Sequence, residues 1–460
     1  MTRQKRLINV LAIAVLVTGT ISLSTTTAQA TTKYSDRYFA DASGNPTFML
    51  GYYAWDLPRA TVMIDTAATY HLNYIRMTVG FCGYGPPYAF SYNYSTGKTD
   101  MDSWDSSYWT SVSDAVSYAA SKGINVHMAI FDAASLRYDG SDDIYLDCYW
   151  NPANQVVAEY SDPDANGDGN IDEDGEFYNL SAFDDDTGIG FYQRKLIDKT
   201  ISELDGYSNI FYEVGNELTG ASATWFNHVI SYIKGQTSKA VTISDATFHG
   251  DSSVAYDAGN SDGYSEHFQR YPSDSKRNAE YYVGRGLPFL NDPDGYGYNQ
   301  SPEDSRQAAW YSFVGGAAGW GGFSIDWFDG GSANTTRATY YQYLADFISG
   351  TGIPFWNMDP HQDWISEHPC EASPSQPPWW RRGRCSYNSL LAQDSQFYLA
   401  YVLNDPTVTI TVADGRYYYR TYDPQTGTYG SPQVFTGGTR LIVNKPAGAS
   451  DWVAYVYPYQ

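Results

Sequence analysis

Two acidic residues stand where apolar runs stop. Asn209-Ile210-Phe211-Tyr212-Glu213-Val214-Gly215-Asn216-Glu217 reads as a short buried strand closing in an Asn-Glu pair. Ile210, Phe211, Tyr212 and Val214 give the strand its apolar surface. A carboxylate at its end packs nothing, and burying it is costly unless a partner or a reaction uses it. Glu217 is therefore the first candidate for an acid/base. Leu287-Pro288-Phe289-Leu290-Asn291-Asp292-Pro293-Asp294-Gly295 places Asp292 at the end of a second run, with Asp294 two residues on as the alternate. Asn-Asp-Pro-Asp-Gly is also strong turn chemistry, so Asp292 takes its weight from being paired with Glu217. Two carboxyl groups ~5–5.5 Å apart, one an acid/base and one a nucleophile, are what retaining hydrolysis of a glycosidic bond requires.

Positioning such a pair takes a scaffold, and the chain supplies an alternating one. Strand-like runs at 48–53, 73–81, 124–131, 209–217, 240–244, 263–267, 287–291 and 322–327 alternate with helix-like segments at 61–71, 104–122, 191–204, 225–237, 274–285, 302–318 and 336–348. A polar insert at 132–187 follows the third strand. Eight strand-like runs with seven helix-like segments over ~300 residues predict an α/β fold, a (β/α)8 TIM barrel, whose site lies at the carboxyl ends of the strands. Strands four and seven face each other across such a mouth. After residue 356 the pattern becomes short alternating runs separated by Asn-Asp-Pro, Asp-Gly and Gly-Gly, a small all-β, sandwich-like domain. The expected organisation is a signal peptide at 1–30, the barrel at 31–365, a disulfide loop and linker at 366–384, and the β-domain at 385–460.

The first residues are set apart from the fold. Arg3, Lys5 and Arg6 precede an apolar core at 7–19, and Ala28-Gln29-Ala30 gives a small-x-small cleavage pattern. The apolar core is shorter than the ~20 residues a bilayer demands, so secretion to the extracellular space is expected, with no membrane contact after cleavage. A formal net charge of -24 argues against nucleic acid and anionic membrane as partners. The 43 Tyr, 20 Phe and 13 Trp exceed what a core uses and suit stacking on sugar rings. Four cysteines allow three pairings. Cys370 and Cys385 bracket a Pro-, Arg- and Ser-rich loop, which leaves Cys82 for Cys148.

The insert carries a calcium-loop spacing. Asp164, Asn166, Asp168 and Asp172 fall at the first, third, fifth and ninth positions, with Asn170 between, Gly169 sixth and Ile171 eighth. The twelfth position is Gly175, so Asp174 or Glu176 must close the shell; a register beginning at Asp162 would use Glu173 but loses the isoleucine. A structural Ca2+ is expected here, pinning the insert beside the barrel mouth, and no cofactor is expected for catalysis.

Val214-Gly215-Asn216-Glu217 resembles the fourth-strand signature of the glycoside hydrolase clan A enzymes, (β/α)8 retaining glycosidases that include cellulase-like and β-galactosidase-like families. The resemblance covers about residues 38–360. It implies that Glu217 is the acid/base and that Asn216 binds the sugar 2-hydroxyl. The clan nucleophile ends strand seven and is normally Glu. Here Pro288-Phe289-Leu290-Asn291-Asp292 is similar to that strand, with a side chain one methylene shorter, about 1.5 Å. A retaining mechanism is the expectation; a wider gap between the carboxyls would favour inversion. By the same resemblance Arg76 orients the nucleophile, His267 closes strand six, and Trp327 is the aromatic platform under the sugar; Asp294, two residues beyond Asp292, is also expected to bind substrate. The implied partner is a carbohydrate, and a monomer is expected. The rival reading is a non-catalytic carbohydrate- or matrix-binding protein on the same scaffold. Serine esterase and zincin chemistry find no support: the one Gly-x-Ser-x-Gly spacing, Gly259-Asn260-Ser261-Asp262-Gly263, leads into a strand-like run and does not turn from a strand into a helix, and no His-Glu-x-x-His is present.

Overall fold

The structure is a computed structural model and describes residues 32–54, 60–83, 85–137, 144–156, 162–164, 167, 170–172, 177–186, 188–218, 220–245, 259–267, 272–292, 301–322, 335–366 and 388–459. Eight parallel strands close into a barrel: β1 (Met49–Tyr53), β2 (Tyr74–Thr78), β3 (Asn125–Asp132), β4 (Ile210–Asn216), β5 (Val241–Asp245), β6 (Gly263–Glu266), β7 (Phe289–Asn291) and β8 (Gly319–Gly322). Every strand pairs in parallel with its sequence neighbour, and β8 pairs with β1. A strand in such a sheet is covered on both faces, so every residue of β3 and β4 is buried. That is why these strands read as continuous runs and not as alternations.

Helices α1 (Ala60–Thr69), α2 (Ser106–Ser121), α3 (Ile189–Leu204), α4 (Ala223–Lys234), α5 (Pro272–Val283), α6 (Pro302–Val314) and α7 (Thr335–Thr351) ring the barrel. Local chemistry sets their ends. The Asp105 carboxylate accepts from the backbone of Ser107 and Tyr108 at 2.9 and 3.0 Å and starts α2. Gly123, at φ 73°, follows its last turn. α6 opens on a Ser301/Asp304 capping box with Pro302 in its first turn. The interior is aromatic toward the amino-terminal end of the strands: Phe211 stacks on His127 at 4.3 Å and packs against Phe39, which closes that end.

Strand eight departs from expectation. It begins earlier, at Gly319, and runs to Gly322; residues 323–327 lie outside the described residues, and α6 stops at Val314 rather than continuing to 318. Gly-Trp-Gly-Gly lacks the β-branched residues that mark strands. Its glycines are instead a matter of space: a Cβ on Gly319 would stand 2.7 Å from Met49 Cβ, and one on Gly321 would run into the Asp292 carboxylate. Residues 90–93 and 98–104 form an antiparallel hairpin before α2, where no strand was expected.

The insert after β3 is tied to the barrel. Cys82 and Cys148 form a disulfide with their Cα atoms 5.3 Å apart. Trp150, Phe177 and Tyr178 pack with Phe131 of β3 and Trp225 of α4. Cys370 and Cys385 lie outside the described residues.

An antiparallel sheet follows the barrel, with strand order 359–360, 389–393, 397–403, 451–458, 416–423 and 428–429, and 433–436 beside 416–423. A second pair, 407–411 with 440–444, packs across it over Leu390, Tyr398, Val408, Ile410, Trp452 and Val456. The other face of the large sheet belongs to the barrel's own core through Leu391, Leu399, Tyr401, Val453 and Tyr455. Trp310 of α6 stacks on Tyr401 and Phe347 of α7 packs on Tyr422. At the centre Arg306 of α6 makes a two-pronged contact with Asp451, 2.7 and 3.1 Å, with both side chains fully buried. Tyr401 Oη donates to the same carboxylate at 2.8 Å. No helix among the described residues is long and apolar enough to cross a membrane.

Candidate active site

Glu217 follows directly on β4 and holds φ at 54°, a conformation that non-glycine residues rarely take. Ser244 of β5 braces it: the Ser244 hydroxyl accepts from the Glu217 backbone N–H at 2.9 Å and donates to the Gly215 carbonyl at 3.0 Å. The turn aims the carboxylate over the strand ends, where 17% of the side chain is exposed. Its Oε2 accepts from Arg137 Nη2 at 2.8 Å, and His267 Nδ1 lies 3.4 Å from Oε1.

Asp292 is the residue after β7, fully buried, with its backbone N–H on the Glu266 carbonyl of β6. Ser265 Oγ and Tyr74 Oη both donate to its Oδ2, at 2.8 and 3.0 Å. Oδ1 has no hydrogen-bond partner and rests in the notch left by Gly321. Burial pushes the Asp292 carboxyl above the usual range, opposed by the charges of Arg76 and His267 and by the two hydroxyl donors. Tyr74 continues inward to His127 Nδ1 at 2.8 Å, and His127 Nε2 meets Thr242 Oγ1 at 2.7 Å. Burial holds His127 well below the ordinary imidazole range, so it is neutral.

Between the two carboxylates lies a set of paired groups. Asn216 Oδ1 accepts from Tyr53 Oη at 3.0 Å and Arg76 Nη1 at 2.9 Å. His267 Nε2 is 3.3 Å from both Tyr53 Oη and Ser265 Oγ, so His267 links the Glu217 side of the mouth to the Asp292 side. Arg76 does not hold Asp292 as expected. Its Nε donates to Glu213 Oε2 at 2.8 Å, and its guanidinium lies over the Tyr53 ring at 4.3 Å. The reason is in β4: across the intervening β3, Glu213 also points inward and offers the fully buried arginine a charged acceptor, so the arginine acts on Asp292 through its charge and not through a hydrogen bond. Burial raises the Glu213 carboxyl, against the pull of Arg76.

Glu217, Asp292, Asn216, Arg76 and His267 therefore meet at one end of the barrel. Trp327 and Asp294 lie outside the described residues, as do Asn166, Asp168 and Glu176 of the candidate calcium loop. In that loop Asp164 Oδ1 accepts from the Gly167 N–H at 2.8 Å, and Asn170 Oδ1 accepts from the Asp172 N–H at 3.2 Å. Asp172 itself is buried and accepts from Tyr178 Oη. The sequence reading passed over Arg137, Glu213, Tyr53, Tyr74, Ser244, Ser265 and Gly321. Glu213 was the legible one, a charged residue inside an otherwise apolar strand; the others carry no local pattern.

No family model matches the sequence, and no curated protein matches it. Solved structures do. One described as a glycoside hydrolase shares 14% identity over 93% of this chain and 96% of that chain, with a TM-score of 0.61. A glycoside hydrolase family 5 protein from Bacteroides vulgatus shares 14% identity over 92% of each chain, with a TM-score of 0.59. At this identity the likeness is one of fold, and it extends through both the closed parallel barrel and the antiparallel domain that follows it.

Proposed function

We propose that this protein is a glycoside hydrolase that cleaves a glycan with two carboxylates, Glu217 as acid/base and Asp292 as nucleophile, with retention at the anomeric carbon. The observation that carries this reading is the placement of these two side chains after β4 and β7 of one closed barrel, joined across its mouth by His267 and Ser265. The fold shared with glycoside hydrolases supports it. In the first step an Asp292 oxygen attacks the anomeric carbon while Glu217 gives its proton to the departing glycosidic oxygen. In the second, the Glu217 carboxylate takes a proton from water, whose oxygen displaces Asp292. Asn216, held by Tyr53 and Arg76, stands beside Glu217 to meet a ring hydroxyl.

The same reading extends to the rest of the chain. Export follows from the leader pattern and suits the Cys82–Cys148 disulfide. The loop at 164–176 takes a calcium ion, through Asp164, Asn166, Asp168, Asn170 and Asp172 with Glu176. A screen of plant and microbial polysaccharides, with product anomers followed by NMR, tests the activity. Glu217→Gln and Asp292→Asn should each abolish turnover, and the first-formed anomer should match the bond cleaved. Turnover by Glu217→Gln at the wild-type rate, or binding without any cleavage by the wild type, would sink the proposal.

A further inference from the structure

Arg137 is the side chain on which the assigned chemistry makes no claim, yet its guanidinium sits at hydrogen-bond distance from the proposed acid/base. It follows the 3-10 turn 133–136, which leaves β3 at the start of the insert. The turn is fixed from two sides. Cys82 N–H donates to Ser135 Oγ at 2.8 Å, next to the disulfide, and Ile171 N–H donates to the Leu136 carbonyl at 2.7 Å, from the far end of the insert. Arg137 therefore reaches Glu217 from a braced backbone, with 29% of its side chain exposed.

The guanidinium is not an open receptor for an anionic sugar. Glu217 binds it, and the charges of Asp172 and Asp132 act on it as well, so three carboxylates already surround one cation. Asp132, which ends β3 in register with Asn216, and Asp172, which accepts from Tyr178, are both buried. An added carboxylate or sulfate would meet net negative charge there.

The arrangement sets a problem for Glu217. A general acid must carry a proton, whereas a cation at 2.8 Å favours the charged carboxylate. Among the described residues, the other groups facing Glu217 do not cancel this. His267 approaches from β6 at 3.4 Å and Ser244 braces its backbone from β5. Below, on β2, β4 and β7, Arg76 is paired with Glu213, and Asp292 is held by Ser265 and Tyr74.

Resting on the acid/base assignment of Glu217, we propose that Arg137 is a positioning residue that holds Glu217 as the carboxylate in the free enzyme and so confines acid catalysis to acidic pH. The insert that carries Arg137 thereby sets the working range of a residue on another strand. When the guanidinium is removed, Glu217 keeps its proton to higher pH. The loss of activity on the alkaline side, where the acid deprotonates, then moves upward.

The test uses the full secreted chain. kcat/KM is measured from pH 3 to 9 on whichever para-nitrophenyl glycoside the wild type turns over, for wild type, Arg137→Met and Arg137→Lys. Glu217 is titrated in parallel by carbon-13 NMR of protein labelled at glutamate Cδ, its signal identified by its loss in Glu217→Gln. Arg137→Met should move the alkaline limb and the Glu217 midpoint upward together by about one unit, and Arg137→Lys should restore most of the difference. An unmoved profile and midpoint in Arg137→Met, with Glu217→Gln inactive, overturns the proposal and leaves the acid/base assignment standing. An upward shift of the acidic limb instead would make Glu217 the group that must be ionised, and overturns that assignment. An active Glu217→Gln overturns it as well. The NMR midpoint reports on Arg137 even where no aryl glycoside is cleaved.

Discussion

Gly321→Ala tests how β8 shapes the site. A methyl carbon at 321 would fall within bonding distance of Asp292 Oδ1 and 2.8 Å from Tyr74 Cε1. Nonbonded carbon and oxygen rest about 3.4 Å apart, so the carboxylate must retreat by roughly 2 Å. The retreat breaks the bonds from Ser265 and Tyr74, at 2.8 and 3.0 Å. Bonds to a charged acceptor are worth about 1.5–3 kcal/mol each, and a nucleophile misplaced by ~1 Å loses about 100-fold in rate. The strand itself has nowhere to move, since it is paired on both sides, so overpacking adds about 1–3 kcal/mol of destabilisation. The expected result is a protein that folds with a lowered Tm and a kcat down by at least about 100-fold, with KM little changed. Steady-state kinetics on a cleaved aryl glycoside, together with circular dichroism melting, reads both. A folded Gly321→Ala enzyme with wild-type kcat would refute the placement of Asp292 as the attacking group, because the reacting oxygen could not have been the one in that notch.

Three further outcomes are expected. Breaking the buried Arg306–Asp451 pair with Asp451→Asn should cost about 3–5 kcal/mol, read by urea unfolding, while replacing both residues with apolar ones should cost less. Because burial raises the Asp292 carboxyl, its ionisation at neutral pH opposes folding; Asp292→Asn should therefore raise Tm at pH 7, with the gain fading as pH falls through the carboxylate range and the native group takes up its proton. An equal Tm for the two proteins at both ends of that range would count against it. Chelation with EDTA should lower Tm, and calcium alone should restore it; a Tm indifferent to both would remove the ion from the insert.

The barrel was legible because its first seven strands read as runs of buried residues and, among the described residues, a helix follows each of them except β5. β4 was clearest, since Phe211, Tyr212 and Val214 fill it and Asn216 and Glu217 close it. β8 was misplaced by several residues because its glycines are chosen for what lies across from them, which a single strand cannot display. The site was legible where a charged or amide residue ends an apolar run, as at Asn216, Glu217 and Asp292. It was not legible where an ordinary polar residue takes its role from a neighbouring strand. Ser265 and Tyr74 hold Asp292 and Ser244 braces Glu217, but in the sequence each is one serine or tyrosine among many. Arg76 shows the converse: its position was readable, but its partner depended on Glu213 pointing inward.

The contact between the barrel helices and the antiparallel domain has a consequence for how the chain survives damage. Trp310, Phe347 and Arg306 are covered by residues that come later than 388 in sequence. A protease that cuts anywhere between 366 and 388 would sever one covalent link and leave this interface whole. The two fragments would travel as one particle through gel filtration and part only in denaturant, with reductant as well where the cut falls between Cys370 and Cys385 and the expected bridge joins them. Expressed separately, each would carry an uncovered aromatic face, so the halves are complements of one another and not exchangeable modules.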